Sequence, residues 1–177
     1  MKNTQHFITI LALTLSISAH PIDLEAQNNP NLPLTKVTAV RDSYPFWSPD
    51  GKQVVFQSDR TGVFEIYIVN TDGSGLRRIT RQKEPDETPV WSPDGRKIAF
   101  VSNHDRRADN RGNLQLYIMN PDGSGVTKLL DNMETVEDAR PVWSYVGTKI
   151  LFNRQYIADE SSIDIMILDV PEEFLKQ

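Results

Sequence analysis

The chain contains no cysteine. That excludes disulfides, thiolate metal sites, thiol nucleophiles and a lipidated cysteine near the N-terminus. Histidine is scarce. Of His6, His20 and His104, only His104 lies well clear of the N-terminal segment. A histidine-rich metal site is therefore excluded, and a Ser-His-Asp triad would have to use His104. The sequence has no Gly-x-Ser-x-Gly elbow, and the Gly-Ser-Gly around Ser74 and around Ser124 reads as a hairpin turn. Positive charge is also in deficit. The formal net charge is −5 at pH 7, which argues against nucleic acid or an anionic membrane surface as partner, since both select clustered Lys and Arg. No apolar run is long enough to span a bilayer comfortably. With 38% apolar and 24% charged residues, the composition is that of a soluble globular protein large enough to bury a core.

The N-terminus has its own character. Lys2 is followed by an apolar run from Phe7 to Ile17, then by the small residues Ser18 and Ala19. This is the layout of a secretory signal peptide, with cleavage after either Ala19 or Ala26. Residues 1–26 read as signal and processing region, and residues 27–35, rich in Asn and Pro, as a linker. A periplasmic or secreted location is the expectation.

A ten-residue phrase is then written three times: WSPDGKQVVF from Trp47, WSPDGRKIAF from Trp91 and WSYVGTKILF from Trp143. The tryptophans are separated by 44 and then 52 positions. In each copy a short strand ends in Trp, a tight turn follows, and an apolar strand begins. After a variable loop comes a second apolar strand (EIYIVN, QLYIMN, DIMILD). In the first two copies an Asp-Gly-Ser-Gly turn then leads into a more polar strand. Pro49 and Pro93 preset φ for the turn, Asp50 and Asp94 tolerate its second position, and Gly51, Gly95 and Gly147 supply a left-handed closing residue. The apolar strands are too continuous to leave one face wet. Four-stranded antiparallel sheets stacked face to face satisfy that pattern, which is the construction of a β-propeller blade.

These linked motifs resemble the TolB-type β-propeller repeat, also found in the propeller domains of prolyl-oligopeptidase-like peptidases, over about residues 36–170. The resemblance implies an all-β fold of about three blades, near residues 45–80, 89–130 and 141–169, with 171–177 as a tail poorly suited to an outer strand. It carries over no catalytic residues. The segment TKVTAV (35–40) takes the place of a polar outer strand ahead of the first Trp. Three blades do not close a ring, so the end blades are expected to expose apolar faces. Missing blades of a longer protein, a homodimer completing six blades, and a stable open arc all fit that expectation.

Candidate binding residues cluster on the loops that vary between copies. Asp42, Asp86 and Asp138 each stand three residues before a proline and five before the tryptophan. At the entry to the innermost strand they would ring the mouth of a central channel and hold a cation or a basic peptide group. Alternatively, each accepts local backbone N–H bonds or pairs with a nearby Arg such as Arg60. In the 103–113 insert, His104, Arg106, Arg107 and Arg111 offer cations for a carboxylate or phosphate, or simply a solvated charged loop. Trp47, Trp91 and Trp143 read as core rather than ligand platforms. No cofactor is expected beyond a cation at the aspartates. The reading is an exported, non-catalytic module that recognises a protein or peptide. The alternatives are the gating propeller of a secreted prolyl-oligopeptidase-like hydrolase, or a carbohydrate-active propeller.

Overall fold

A computed structural model describes residues 41–104, 113–130 and 135–175. The signal region, the linker, the segment 35–40, and Arg106, Arg107 and Arg111 lie outside the described residues. Strands β1 (Asp42–Trp47), β2 (Gln53–Ser58), β3 (Glu65–Asn70) and β4 (Arg77–Arg78) form one antiparallel sheet in chain order. Strands β5 (Asp86–Trp91), β6 (Ile98–Ser102), β7 (Gln115–Met119) and β8 (Thr127–Lys128) form a second. Strands β9 (Val136–Trp143), β10 (Lys149–Tyr156) and β11 (Asp159–Asp169) form a third, followed by a single helical turn, α1 (Glu172–Leu175). The protein is thus an all-β array of three propeller-like sheets. Two have four strands and one has three among the described residues.

The register confirms the repeat at the level of residue pairs. Phe56 faces Tyr67, Phe100 faces Tyr117 and Phe152 faces Met166 across the second and third strands of each sheet. The two aromatic pairs stack with ring centroids 5.9 and 5.7 Å apart. The stretch Asn153–Ser162, expected from the sequence to be a long loop, is instead a strand continuation. Strand β10 runs to Tyr156 and β11 restarts at Asp159, because no Gly or Pro interrupts the pairing there.

The turns after each tryptophan show what the third copy lost. The Ser48 hydroxyl donates to Asp50 Oδ1 at 2.6 Å and the Lys52 N–H donates to the same oxygen at 3.1 Å. Ser92, Asp94 and Arg96 repeat this with 2.6 and 3.0 Å. These donors hold the Asp50 carboxyl below its ordinary pKa, the Ser48 hydroxyl first among them. The third turn keeps the closing bond from Gly147 N–H to Ser144 O at 2.9 Å and the left-handed glycine, at φ 72°. It has no carboxylate at its centre. The prolines also serve neighbours: Pro49 lies against Gly95, and Pro93 against Gly147. Tyr145, in the third copy's proline position, is 95% exposed.

The core lies between sheets. Trp91 packs with Val55, Ile66 and Ile68 of the first sheet, and Trp143 packs with Ala99, Leu116 and Ile118 of the second. Each tryptophan therefore buries itself on the preceding sheet. Trp91 and Trp143 are 7% and 8% exposed, whereas Trp47 is 62% exposed. The core role expected for Trp47 is thus not seen, because among the described residues no sheet precedes the first. Leu151, Ile165 and Ile167 hold the positions of Val55, Ile66 and Ile68 in the third sheet, by register, and all three are exposed. The tail adds no outer strand. Pro171 cannot donate to a ladder, and Phe174 and Leu175 of α1 fold back onto the second core cluster.

The Asp-Gly-Ser-Gly turns differ in one testable way. Gly73 and Gly123 both have positive φ, 85° and 89°. A Cβ on Gly73 would meet nothing within 4 Å, but one on Gly123 would fall 2.2 Å from the Ile79 carbonyl oxygen of the first sheet. Gly73→Ala should cost about 1 kcal/mol, the left-handed penalty alone. Gly123→Ala should cost at least about 2 kcal/mol, since the neighbouring sheet must also move. Urea denaturation midpoints of the two variants check this, and equal losses would contradict the packing.

Candidate functional site

An aspartate stands at or near the start of each inner strand, and in the second and third sheets its backbone is fastened to the residue that precedes the third strand of the sheet before it. The Asp86 N–H donates to the Phe64 carbonyl, and the Asp138 N–H to that of Leu114, both at 2.8 Å. Two of the three carboxylates, those of Asp42 and Asp138, are each held by an arginine of their own sheet. Arg60 Nη2 donates to Asp42 at 2.9 Å, and Arg154 grips both oxygens of Asp138 at 2.9 and 3.2 Å. In both cases the guanidinium is also laid over an aromatic face. Arg60 sits 4.4 Å from the Tyr67 ring centroid and 5.6 Å from that of Phe56, and Arg154 sits 5.3 Å from that of Phe152. Carboxylate on one side and ring quadrupole on the other form a fitted receptacle for a planar cation.

Among the described residues, the second sheet has the receptacle without the guanidinium. Asp86 pairs in register with Ser102 as Asp42 does with Ser58. His104 replaces Arg60: its backbone N–H donates to the Ser102 hydroxyl at 3.0 Å, as the Arg60 N–H does to Ser58. Its ring meets Tyr117 edge-on, with centroids 6.1 Å apart. The imidazole is shorter than the arginine side chain and makes no hydrogen bond to Asp86. Asp86 is 1% exposed, and neither of its carboxylate oxygens has a hydrogen-bond partner. The hydroxyls of Ser102 and Thr80 lie near it. Thr80 Oγ1 accepts the Ile66 N–H at 2.9 Å. Burial pushes the Asp86 carboxyl up from its ordinary pKa, with the Glu65 charge adding to it. The neighbouring hydroxyls and His104 offset this only in part. Asp86 lines a cavity of about 340 Å³ between the first and second sheets. Thr80, Gln82, Phe100, Ser102 and His104 line it, and Arg81 and Asp122 are at its exposed edge.

A second feature was not anticipated from sequence. Tyr44, Thr88 and Arg140 adopt φ of 52°, 49° and 52°, and each precedes a proline. They sit where the inner-strand register shifts, between Ser43 and Phe46, between Glu87 and Val90, and opposite Leu151–Asn153. A left-handed non-glycine residue costs about 1–3 kcal/mol and persists only where its surroundings impose it. At Thr88, the Gln57 side chain accepts the bulged N–H at 2.7 Å. The three bulges, with Phe46, Val90 and Val142, surround an apolar cavity of about 280 Å³ along the inner strands. The only sign in the sequence was a proline at constant distance from each aspartate. Among the described residues no group of three or more His, Asp or Glu is placed to hold a metal ion.

Stacked four-stranded sheets with Trp-ended inner strands define a segment of β-propeller. The TolB beta propeller domain family matches residues 25–177, and the chain belongs to that family. Among curated proteins, the Tol-Pal system protein TolB of Syntrophus aciditrophicus is 49% identical over 35 residues, 20% of this chain and 8% of that protein. Among solved structures, a TolB candidate from Agrobacterium tumefaciens superposes with a TM-score of 0.66 at 27% identity, covering 75% of this chain and 47% of that one. TolB from Acinetobacter baumannii gives 0.60 at 25% identity, covering 76% and 32%. The chain spans less than half the length of each of these relatives.

The state of Asp86 has a consequence for stability. Its carboxyl pKa is raised in the folded protein, so the folded state holds the proton more tightly than the unfolded state does. Stability from the protonated form is present at acid pH and is lost as pH rises through the folded pKa. Asp86→Asn should therefore be more stable than the parent at about pH 7 and should flatten the decline between acid and neutral pH. Urea midpoints measured across that range check this. A destabilised variant at neutral pH would show that the carboxylate is satisfied.

Proposed function

We propose that this protein is an exported, non-catalytic binding module that recognises a protein or peptide through the loop-bearing end of its sheets. The observation that carries the reading is the contrast between the two ends. At one end the Ser-Pro-Asp-Gly and Asp-Gly-Ser-Gly turns are nearly identical, and their polar groups bond internally, as in Ser74 to Asp72 and Ser124 to Asp122 at 2.6 Å. At the other end the connections differ between copies, and the buried carboxylate of Asp86 has no partner. Recognition concentrates where a rigid scaffold carries variable loops. Membership in the TolB propeller family, the three-part N-terminal pattern and a relative assigned to the Tol-Pal system support a periplasmic or secreted setting. The comparisons do not favour the hydrolase-fragment or carbohydrate-active alternatives.

Site-specific photo-crosslinking tests the reading. A photoreactive residue at Asp59 or Thr61, at the loop end, should give protease-sensitive adducts in cell-envelope extract. One at Asp72 or Asp94, at the turn end, should not. Adducts from the turn end alone, or from neither end, would overturn it.

The exposed Leu151, Ile165 and Ile167 take the place of residues that receive Trp91 and Trp143 in the other sheets. We propose that a further blade covers them, supplied by a second copy of this chain or by additional polypeptide. Light scattering on the purified chain decides between these. A mass of two chains, reduced to one by Ile165→Lys, is the outcome expected for a second copy completing six blades.

A further inference from the structure

We infer that the cavity lined by Asp86 is a receptor for a guanidinium group, and that the occupant is an arginine side chain of the recognised peptide. This deepens the peptide-binding reading and rests on it for the occupant, while the cation site itself stands on the geometry. Two of the three sheets show what the receptacle holds. Asp42 and Asp138 each bind a guanidinium that is also stacked on an aromatic ring of the same sheet. In the second sheet the carboxylate, the serine hydroxyl at the paired position and the ring of Phe100 recur, but among the described residues the in-chain guanidinium does not. His104 stands at the equivalent position, two residues past the strand end, and leaves the carboxylate unpartnered. A carboxylate 1% exposed with two unmet oxygens is costly to maintain, and Asp86 is one of the residues that line a cavity of about 340 Å³.

The surroundings select the charge and shape of the occupant. Glu65, whose charge acts on Asp86, is neutralised by its own ion pair with Arg78, so Asp86 is the carboxylate left to answer a cation in the cavity. Arg81 repels a second cation at the edge, whereas Asp122 attracts one. The planar fork of a guanidinium matches two carboxylate oxygens, as Arg154 shows on Asp138, and a lysine ammonium cannot reproduce that geometry.

Isothermal titration of the full chain with N-acetyl-L-arginine amide tests the site. Saturable binding of one equivalent is expected, at least about tenfold weaker in Asp86→Asn, because a charge-assisted pair is lost. Asp94→Asn, at an exposed turn, should bind as the parent does. His104→Arg provides a second arm that does not depend on the buried substitution folding. It places a guanidinium at the position equivalent to that of Arg60, and should abolish binding while raising the thermal midpoint. Absence of saturable binding to the parent, or undiminished binding to Asp86→Asn or His104→Arg, would overturn the site. Loss of the site with loop-end crosslinks intact would leave the peptide-binding reading standing. Binding of the probe without such crosslinks would do the reverse.

Discussion

Trp91 and Trp143, which end the second and third inner strands, do not pack within their own sheets alone. Each joins a core shared with the apolar face of the sheet before it, and the rest of the array depends on that handover. A sheet of four short strands, two of them almost wholly apolar, cannot be stable alone in water. Trp91 and Trp143 each close one inter-sheet core, and the neighbouring turns are drawn into contact as Pro49 meets Gly95 and Pro93 meets Gly147. The backbone bonds from Asp86 to Phe64 and from Asp138 to Leu114 secure the opposite end of the same joint. Stability is therefore a nearest-neighbour property, as in other repeat architectures. It follows that the terminal positions differ: Trp47 and the Leu151–Ile165–Ile167 face are the two halves of a joint without its partner.

The same repetition makes the exception at Asp86 interpretable. Three carboxylates at equivalent register provide an internal comparison. Two of them are met by arginine and an aromatic ring, and the third is met by neither the same cation nor a substitute of equal reach. Burying a carboxylate without a partner is unfavourable, and proteins tolerate such groups where function requires them. The three left-handed residues before Pro45, Pro89 and Pro141 are a different kind of cost, carried in every copy. They bend the inner strands around a shared apolar cavity, where one glycine-free bulge would have been unusual and three form a pattern.

How far the sequence alone could go depended on the range of the interaction. The hairpins were legible because their determinants are local. Pro-Asp-Gly presets the turn, the serine and aspartate satisfy each other within two residues, and continuous β-branched and aromatic strands announce burial on both faces. The loop at Asn153–Ser162 was misjudged because variable polar residues resemble a loop, although nothing in that stretch breaks a strand. The aspartates were visible as a repeating position. What each aspartate meets was not, because the answering residue lies 18 positions on in the first two copies and 16 in the third, and only strand register aligns them.

The amino-acid sequence by itself determined the repeat, the turn chemistry, the strand types and the family, since these rest on contacts between near neighbours and on period. The tertiary structure decided which equivalent residues are equal. Trp47 and Trp91 have the same local sequence and opposite fates because burial depends on whether a sheet lies alongside. Asp42, Asp86 and Asp138 have the same position, but only Asp86 is left unpartnered. Its state depends on the length and charge of a side chain brought beside it by pairing, a quantity that no local pattern encodes.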